Sequence, residues 1–302
     1  MKTSESKLTE MNYDVSVIIV NWNTKDLLSQ CLESIKAQTR RISYEIIVVD
    51  NFSSDGSPEM VERNFPEVAL IKNKENKGFG QANNQGLAKA RGKYALFLNS
   101  DVAVNENCLD EMHDFMERNP NVGASSCKLT FPDGNLQHSC RKFPSFKVFF
   151  LMLTGLRYFF PNMKIFREYL MLDWDHSDER EVDQIMGSFM FIRKDVLNQI
   201  GSFDERYWMY FEEVDLCLRM KKAGWKIVHY PHATAIHFLS KSSEQWGEMK
   251  RITEFQNSLL KYFRKNKKFY EYYILLTLSK IKYLFFIPIL KLTEKICGVR
   301  FS

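Results

Sequence analysis

The chain has 302 residues, 45% hydrophobic and 26% charged, with a net charge of +5. This is ordinary globular composition, which excludes a disordered or fibrous chain and allows one large α/β domain or two smaller ones. The charge is uneven: from Gln245 onward twelve Lys/Arg stand against four Asp/Glu, which leaves the body slightly acidic, and no nucleic-acid partner is expected.

The opening residues, MKTSESKLTE, are polar and lack an apolar h-region, so a secretory signal is not expected. VSVIIV (15–20) is a continuous β-branched run and reads as a strand buried on both faces. TKDLLSQCLESIKAQ then sets Leu27, Leu28, Cys31, Leu32 and Ile35 on one helical face. The alternation continues through strand YEIIVVD, helix SPEMVERNF, strand VALIKN, helix GQANNQGLAKA and strand YALFLNSD. A further helix, ENCLDEMHDFMERNP, is stopped by Pro120 and followed by strand VGASSCKL. Such alternation predicts an α/β fold with a parallel sheet and right-handed crossovers.

Ligands of these sheets bind beyond the carboxyl ends of the strands. The predicted strands end in Asn21-Trp22-Asn23, Asp50-Asn51, Asn73 and Asn99-Ser100-Asp101. Asn and Asp also form turns and helix caps, but four polar tips on one edge suggest a site. Gly78-Phe79-Gly80 lacks the third glycine of a dinucleotide fingerprint and follows the third strand, not the first, and no P-loop occurs.

FKVFFLMLTGLRYFFPNMKIF (146–166) is apolar but too broken by charge for a spanning helix. It reads either as a core segment or as an interfacial, acceptor-facing flap. IMGSFMFIRKDVLNQIGSFDE then suggests strand, turn, short helix and loop. RYWMYFEEVDLCLRMKKAGWK, from Arg206, places Glu212, Glu213 and Asp215 at a helix N-terminus directly behind aromatic residues. The helix dipole favours acids there, and Asp215 could serve as a cap. Three acids crowded against rings exceed what capping needs, and one of them could act as a general base.

HYPHATAIHFLSKSS holds His229, His232 and His237. His237 lies at another predicted strand end, where it could be a packed ring or a neighbour of Asp101. A strand-terminal Asp101 could in turn hold a divalent cation between two phosphates or merely cap a helix. The six cysteines are scattered without a CxxC pair, which fits a reducing compartment and supports neither zinc nor a disulfide framework. FYEYYILLTLSKIKYLFFIPIL (269–290) carries Lys280 and Lys282 in mid-run. It resembles a basic amphipathic helix on an anionic membrane surface, with a helical hairpin packed on the domain or on a second subunit as the alternative.

Taken together, VSVIIVNWN, IIVVDNFSSDGS, NKENKGFGQANNQG, ALFLNSDV, the stretch from GSFMF to AGWKI, and AIHFLSKSS occur in the order found in family-two glycosyltransferases. The chain resembles that family's rhamnosyltransferase-like branch over residues 13 to 243. The resemblance implies a GT-A fold: a Rossmann-like, mainly parallel sheet flanked by helices. A polar tail (1–12) would precede the transferase domain (13–244), and a basic, aromatic helical extension (245–302) would follow it. Carried over residue by residue, it implies that Asp50 contacts the nucleobase, helped by Asn21 or Asn23. Lys77, Gly78 and Asn83 would line ribose and diphosphate, beside Asn99 and Ser100. Asp101 and His237 would ligate Mg²⁺ or Mn²⁺. Glu213 would be the base, with Glu212 as a neighbour that could share the work, and Trp208 and Tyr210 would shape the acceptor pocket.

Two positions depart from the family pattern. Asn99 stands where the first Asp of the DxD motif is common, and Glu213 stands where Asp is common. The expected reaction is inverting, metal-dependent transfer of a sugar, rhamnose in this branch, from a dTDP, UDP or GDP donor. The acceptor would be a glycan or lipid-linked glycan at the inner face of the cell membrane, reached through the C-terminus, with homo-oligomerisation an open matter. A nucleotide-binding scaffold without turnover and a nucleotidyltransferase are the alternatives.

Overall fold

The structure is a computed structural model that describes residues 13–238, 245 and 247–282. Strands β1 (Tyr13–Asn21), β2 (Tyr44–Asp50), β3 (Ala69–Lys72) and β4 (Gly92–Asn99) alternate with helices α1 (Lys25–Gln38), α2 (Ser57–Asn64) and α3 (Phe79–Leu87). These four strands lie parallel in the order β3-β2-β1-β4. The β-branched runs of β1 and β2 are buried on both faces, as helix-covered parallel strands require.

Beyond β4 the sheet becomes mixed. β5 (Val102–Val104) is followed by α4 (Cys108–Arg118), β6 (Val122–Thr130), β7 (Cys140–Arg141), β8 (Arg180–Glu181), β9 (Gln184–Ile185), β10 (Phe189–Arg193) and, later, β11 (Lys226–His237). β10 runs antiparallel between β4 and β6, and β11 lies between β6 and β5, with β8 pairing β11. Separately, β7 and β9 form a two-stranded ribbon.

Residues 146–166, with their flanks, fold into three short helices, α5 (Phe146–Leu153), α6 (Leu156–Phe159) and α7 (Lys164–Tyr169). Gly155, at φ +78°, separates the first two, and Pro161 follows the second. Val148, Phe149, Leu153 and Phe166 are buried while Phe159 and Phe160 are exposed, so the segment is partly core and partly surface. α8 (Lys194–Ile200) and α9 (Glu212–Lys222) complete the domain's second face. The described part of the C-terminal extension is a hairpin of α10 (Glu248–Asn266) and α11 (Phe269–Ile281).

The packed-hairpin reading of that extension is the one seen. Leu259, Tyr262, Phe263 and Leu275 share an apolar cluster with α5, α7 and α9. Among the described residues no helix is long and apolar enough to cross a membrane. Residues 283–290, the rest of the apolar run, lie outside the described residues. A fully buried aliphatic or aromatic side chain contributes about 1.5–3 kcal/mol, so α10 is part of the folded unit.

His229 is a packed ring. It and His176 are fully buried beside Trp174, with the His176 and His229 ring centroids 5.0 Å apart and Trp174 stacked on His176 at 4.0 Å. Burial lowers both imidazoles to about 4. Their depressed values favour the fold above the ordinary histidine range, and that contribution is lost as pH falls from about 6.5 toward 4. Unfolding free energy should therefore fall by about 1.4 kcal/mol per pH unit for each histidine across that window. Denaturant titrations should show a shallower slope in His176→Phe; an unchanged slope would contradict this assignment.

Candidate active site

The parallel register brings the polar strand tips to one edge, with Asn21 opposite Asp50, Asp50 opposite Lys72 and Val20 opposite Asn99. Above that edge opens a cleft of about 340 Å³ whose wall includes Trp22, Asn51, Gly78, Asn99, Ser100 and Asp101. The same wall carries Trp208, Tyr210, Glu212, Glu213 and His237. Residues up to 215 positions apart in sequence thus converge: β5 follows Asp101 directly, and β11 ends at His237.

The closest of these contacts joins Asp101 and His237. Val102 pairs with His237 across the antiparallel β5–β11 ladder, and Phe238 N–H donates to the Asp101 carbonyl at 2.9 Å. Nε2 of His237 lies 3.2 Å from Oδ1 of Asp101, both side chains being buried. That spacing is short enough for an ion pair, yet the alignment does not make a hydrogen bond. The other ring nitrogen, Nδ1, is 2.8 Å from Oε1 of the buried Gln137. With Oε1 as acceptor, Nδ1 carries the proton and Nε2 keeps its lone pair toward Asp101, the tautomer a metal ligand needs.

An imidazole nitrogen and a carboxylate oxygen aimed at one point fit a divalent cation. Among the described residues no third His, Cys, Asp or Glu completes a cluster. Two protein ligands suit an ion that takes its remaining ligands from water and a diphosphate.

Glu212 and Glu213 begin α9 behind two strained residues, Tyr210 (φ +67°) and Phe211 (φ +68°). Left-handed backbone at two bulky residues is costly and persists only where its surroundings enforce it. Here α10 does so: Ser258 Oγ donates to the Met209 carbonyl at 2.7 Å, and Lys261 Nζ to the Arg206 carbonyl at 2.6 Å. The turn directs both glutamates into the cleft. Burial raises both carboxyl groups above the usual range, Glu212 well above it, with Glu213 adding repulsion. For Glu213 its own backbone N–H and the Arg141 guanidinium oppose the shift. The pair therefore favours a proton on Glu212 and charge on Glu213.

Asp215 has a different task from its neighbours. It is fully buried, receives Arg219 Nε at 2.9 Å and Lys265 Nζ at 2.8 Å, and so ties α9 to α10. Three further residues lie beneath the cleft rather than in its wall. Asn21 donates to Asp50 Oδ1 at 2.9 Å and accepts from Thr24, while Asp50 Oδ2 receives Ser53 N–H. Asn83 is 1% exposed and bonds the Phe79 carbonyl within α3. Asn23, at φ +52°, caps Ser54 N–H through Oδ1, and Lys77 is half-buried beside the cleft, its N–H on Asn51 Oδ1.

Gly78 is required by protein rather than by open space. At φ +80°, a Cβ there would lie 2.2 Å from the Trp208 carbonyl oxygen. This close approach lets Phe79 N–H donate to the same carbonyl at 2.9 Å, which fixes the Trp208 loop over α3.

The sequence offers no sign of Gln137 or Arg141, and of Asn51 only its place at a polar strand tip. Asn51 stands beside the expected Asp50 and holds Asn76, Gly78 and Asn73 in place. Gln137 and Arg141 belong to a loop and a two-residue strand with no motif of their own.

The architecture is that of the GT-A fold. The mannosyltransferase PcManGT of Pyrobaculum calidifontis, solved with GDP-Man and Mn²⁺, superposes with a TM-score of 0.56 at 19% identity over 90% of this chain and 70% of its own. GalNAc-T7, solved with UDP, GalNAc and Mn²⁺, gives 0.54 at 15% identity over 74% of this chain and 44% of its own. The chain belongs to glycosyl transferase family 2, whose sequence pattern matches residues 16–201. It is 31% identical over 242 residues to the N-acetylglucosaminyl-diphospho-decaprenol L-rhamnosyltransferase of Mycobacterium tuberculosis, covering 75% of this chain and 76% of the relative. With rhamnosyltransferase WbbL of Escherichia coli K12 it shares 29% over 233 residues, 74% of this chain and 83% of that one. Of the three activities considered from the sequence, glycosyl transfer is therefore the one this enzyme performs.

Two outcomes test this geometry. Gly78→Ala should cost more than about 2 kcal/mol by denaturant titration, because the added methyl group meets main chain and the backbone is left-handed. Glu212→Gln should be more stable than the parent at pH 8 by about 1–3 kcal/mol and nearly equal at pH 4. A carboxyl raised in the fold contributes its stability below the ordinary carboxylate range and loses it as pH rises through the raised value. Parallel stability curves for parent and variant would contradict the burial assigned to Glu212.

Proposed function

We propose that the enzyme is an inverting, divalent-metal-dependent rhamnosyltransferase that uses a nucleoside-diphosphate sugar, dTDP-rhamnose being the first candidate, to extend a lipid-linked surface glycan. The observation that carries this reading is a single cleft whose wall includes Glu213 together with the Asp101–His237 pair. The names of the two rhamnosyltransferase relatives support the sugar, and the diphospho-decaprenol acceptor in one of them supports the lipid.

In this reading the strand-tip edge binds the nucleotide, with Asn51, Asn99 and Ser100 in the wall and the Asn21–Asp50–Ser53 network bracing it from below. Asp101 and His237 would hold Mg²⁺ or Mn²⁺, which supplies positive charge against the diphosphate. Glu213 takes the proton of an acceptor hydroxyl as that oxygen attacks the anomeric carbon. The carbon–oxygen bond to the diphosphate breaks with oxocarbenium character, its electron pair leaves with the nucleoside diphosphate, and one in-line displacement inverts the centre. Protonated Glu212 leaves the single negative charge on Glu213. Trp208 and Tyr210 offer flat apolar faces to sugar rings. The basic extension and its exposed aromatics support action at the inner membrane face, where lipid-linked acceptors reside.

Glu213→Gln should lower kcat by 10²-fold or more while donor affinity stays within a few-fold, measured as nucleoside diphosphate release and glycan product. The parent's kcat/KM should rise with pH along a limb set above the usual carboxylate range. Full turnover in the variant would remove Glu213 as base.

A further inference from the structure

The cleft does not end at Glu213. A narrow pocket behind it, lined by Arg141, Tyr169, Tyr210, Glu213 and Phe255, leads on past Arg141, Tyr169 and Phe255 to a second cavity of about 320 Å³. That cavity is built by α5, α7 and α10, outside the strand-tip edge. Its lining includes two guanidinium groups, Arg141 and Arg157, and the apolar side chains Phe149, Met152, Leu170 and Leu172. Among the described residues neither arginine is within 4.0 Å of a carboxylate, although most other arginines of the domain are paired. Arg157 instead lies over the Phe166 ring, 6.0 Å from its centroid.

Two guanidinium groups with no carboxylate within 4.0 Å, Arg141 interacting with Tyr169 and Glu213 and Arg157 with the Phe166 ring, stand among apolar side chains and match a ligand with a compact multiple anion on a hydrocarbon chain. Guanidinium forks bind phosphate oxygens bidentately. Exposed aromatic rings occur on neighbouring elements: Phe159 at the end of α6 and Phe160 just after it are 79% and 58% exposed, and α11, packed on α5, exposes Phe269 and Tyr270. We propose that this cavity binds the diphosphate and first isoprene units of a prenyl-diphosphate-linked acceptor. Arg141 and Arg157 hold the diphosphate, the acceptor sugar reaches through the narrow pocket to Glu213, and the hydrocarbon leaves along Phe159 and Phe160. The proposal rests on the transferase reading for the sugar's position, but the binding site can be tested without turnover.

The test uses the full chain, with EDTA and saturating UDP to block the nucleotide edge, and follows farnesyl diphosphate by calorimetry. Farnesyl diphosphate should bind at least tenfold more tightly than farnesol, inorganic diphosphate or short-chain phosphatidylglycerol. Arg157→Glu and Leu172→Glu, both at exposed positions, should each weaken it at least tenfold, with nucleotide affinity as the control for folding. In turnover assays the same variants should raise KM for a prenyl-diphosphate acceptor more than they lower kcat. Equal farnesyl diphosphate affinity in parent and both variants, or equal binding of phosphatidylglycerol, would overturn the proposal. Loss of farnesyl diphosphate binding in the variants of a protein that transfers no sugar would instead keep the cavity and sink the transferase mechanism.

Discussion

The register of β11 against β5 is the constraint on which the site depends. Three pairs, Ala235 with Val104, Ile236 with Ala103 and His237 with Val102, bring a ring from near the end of the domain against a carboxylate that follows β4. A slip of one residue would turn His237 to the opposite face and leave Asp101 alone. The neighbouring β6 ladder reinforces the register, and its trailing hairpin delivers Gln137 to the other ring nitrogen. Three short segments thereby define one point in space where a cation and a diphosphate are proposed to meet.

A second constraint holds the glutamates of the same cleft. The strained Tyr210–Phe211 turn that presents Glu212 and Glu213 is braced from outside the family-matched region, by Ser258, Lys261 and Lys265 of α10. The basic surplus read from the sequence as a membrane feature is thus partly spent inside the protein: Lys265 bridges Asp204 and Asp215. The extension supplies structure to the catalytic loop as well as a surface. Its aromatic rings, exposed on α11, remain the part that suits a membrane in the proposed function.

Much of the first half was legible because buried parallel strands write their positions in β-branched runs, and strand tips write theirs in Asn and Asp. Val15–Val20, Asp50 and Asn99-Ser100-Asp101 show this directly, and the nearness of His237 to Asp101 followed from its place at a strand end. The antiparallel insertion of β10 between β4 and β6 was not legible, since a five-residue apolar run carries no sign of direction. Asn21 and Asp50 stand out as polar strand tips and Asn83 only through the family resemblance, and all three side chains are buried, because polarity at a strand end marks the site, not which way a side chain turns. Gln137 and Arg141 act through partners more than forty residues away in sequence, and composition and periodicity hold no record of such pairings.

The most direct measurement is pulsed electron paramagnetic resonance of the enzyme with Mn²⁺ and a nucleoside diphosphate. The structure predicts a ¹⁴N coupling from one imidazole, lost in His237→Ala and retained in His229→Gln. A spectrum with only phosphorus and water couplings in the parent enzyme would show that His237 does not hold the ion, and that the meeting of β5 and β11 serves the fold alone.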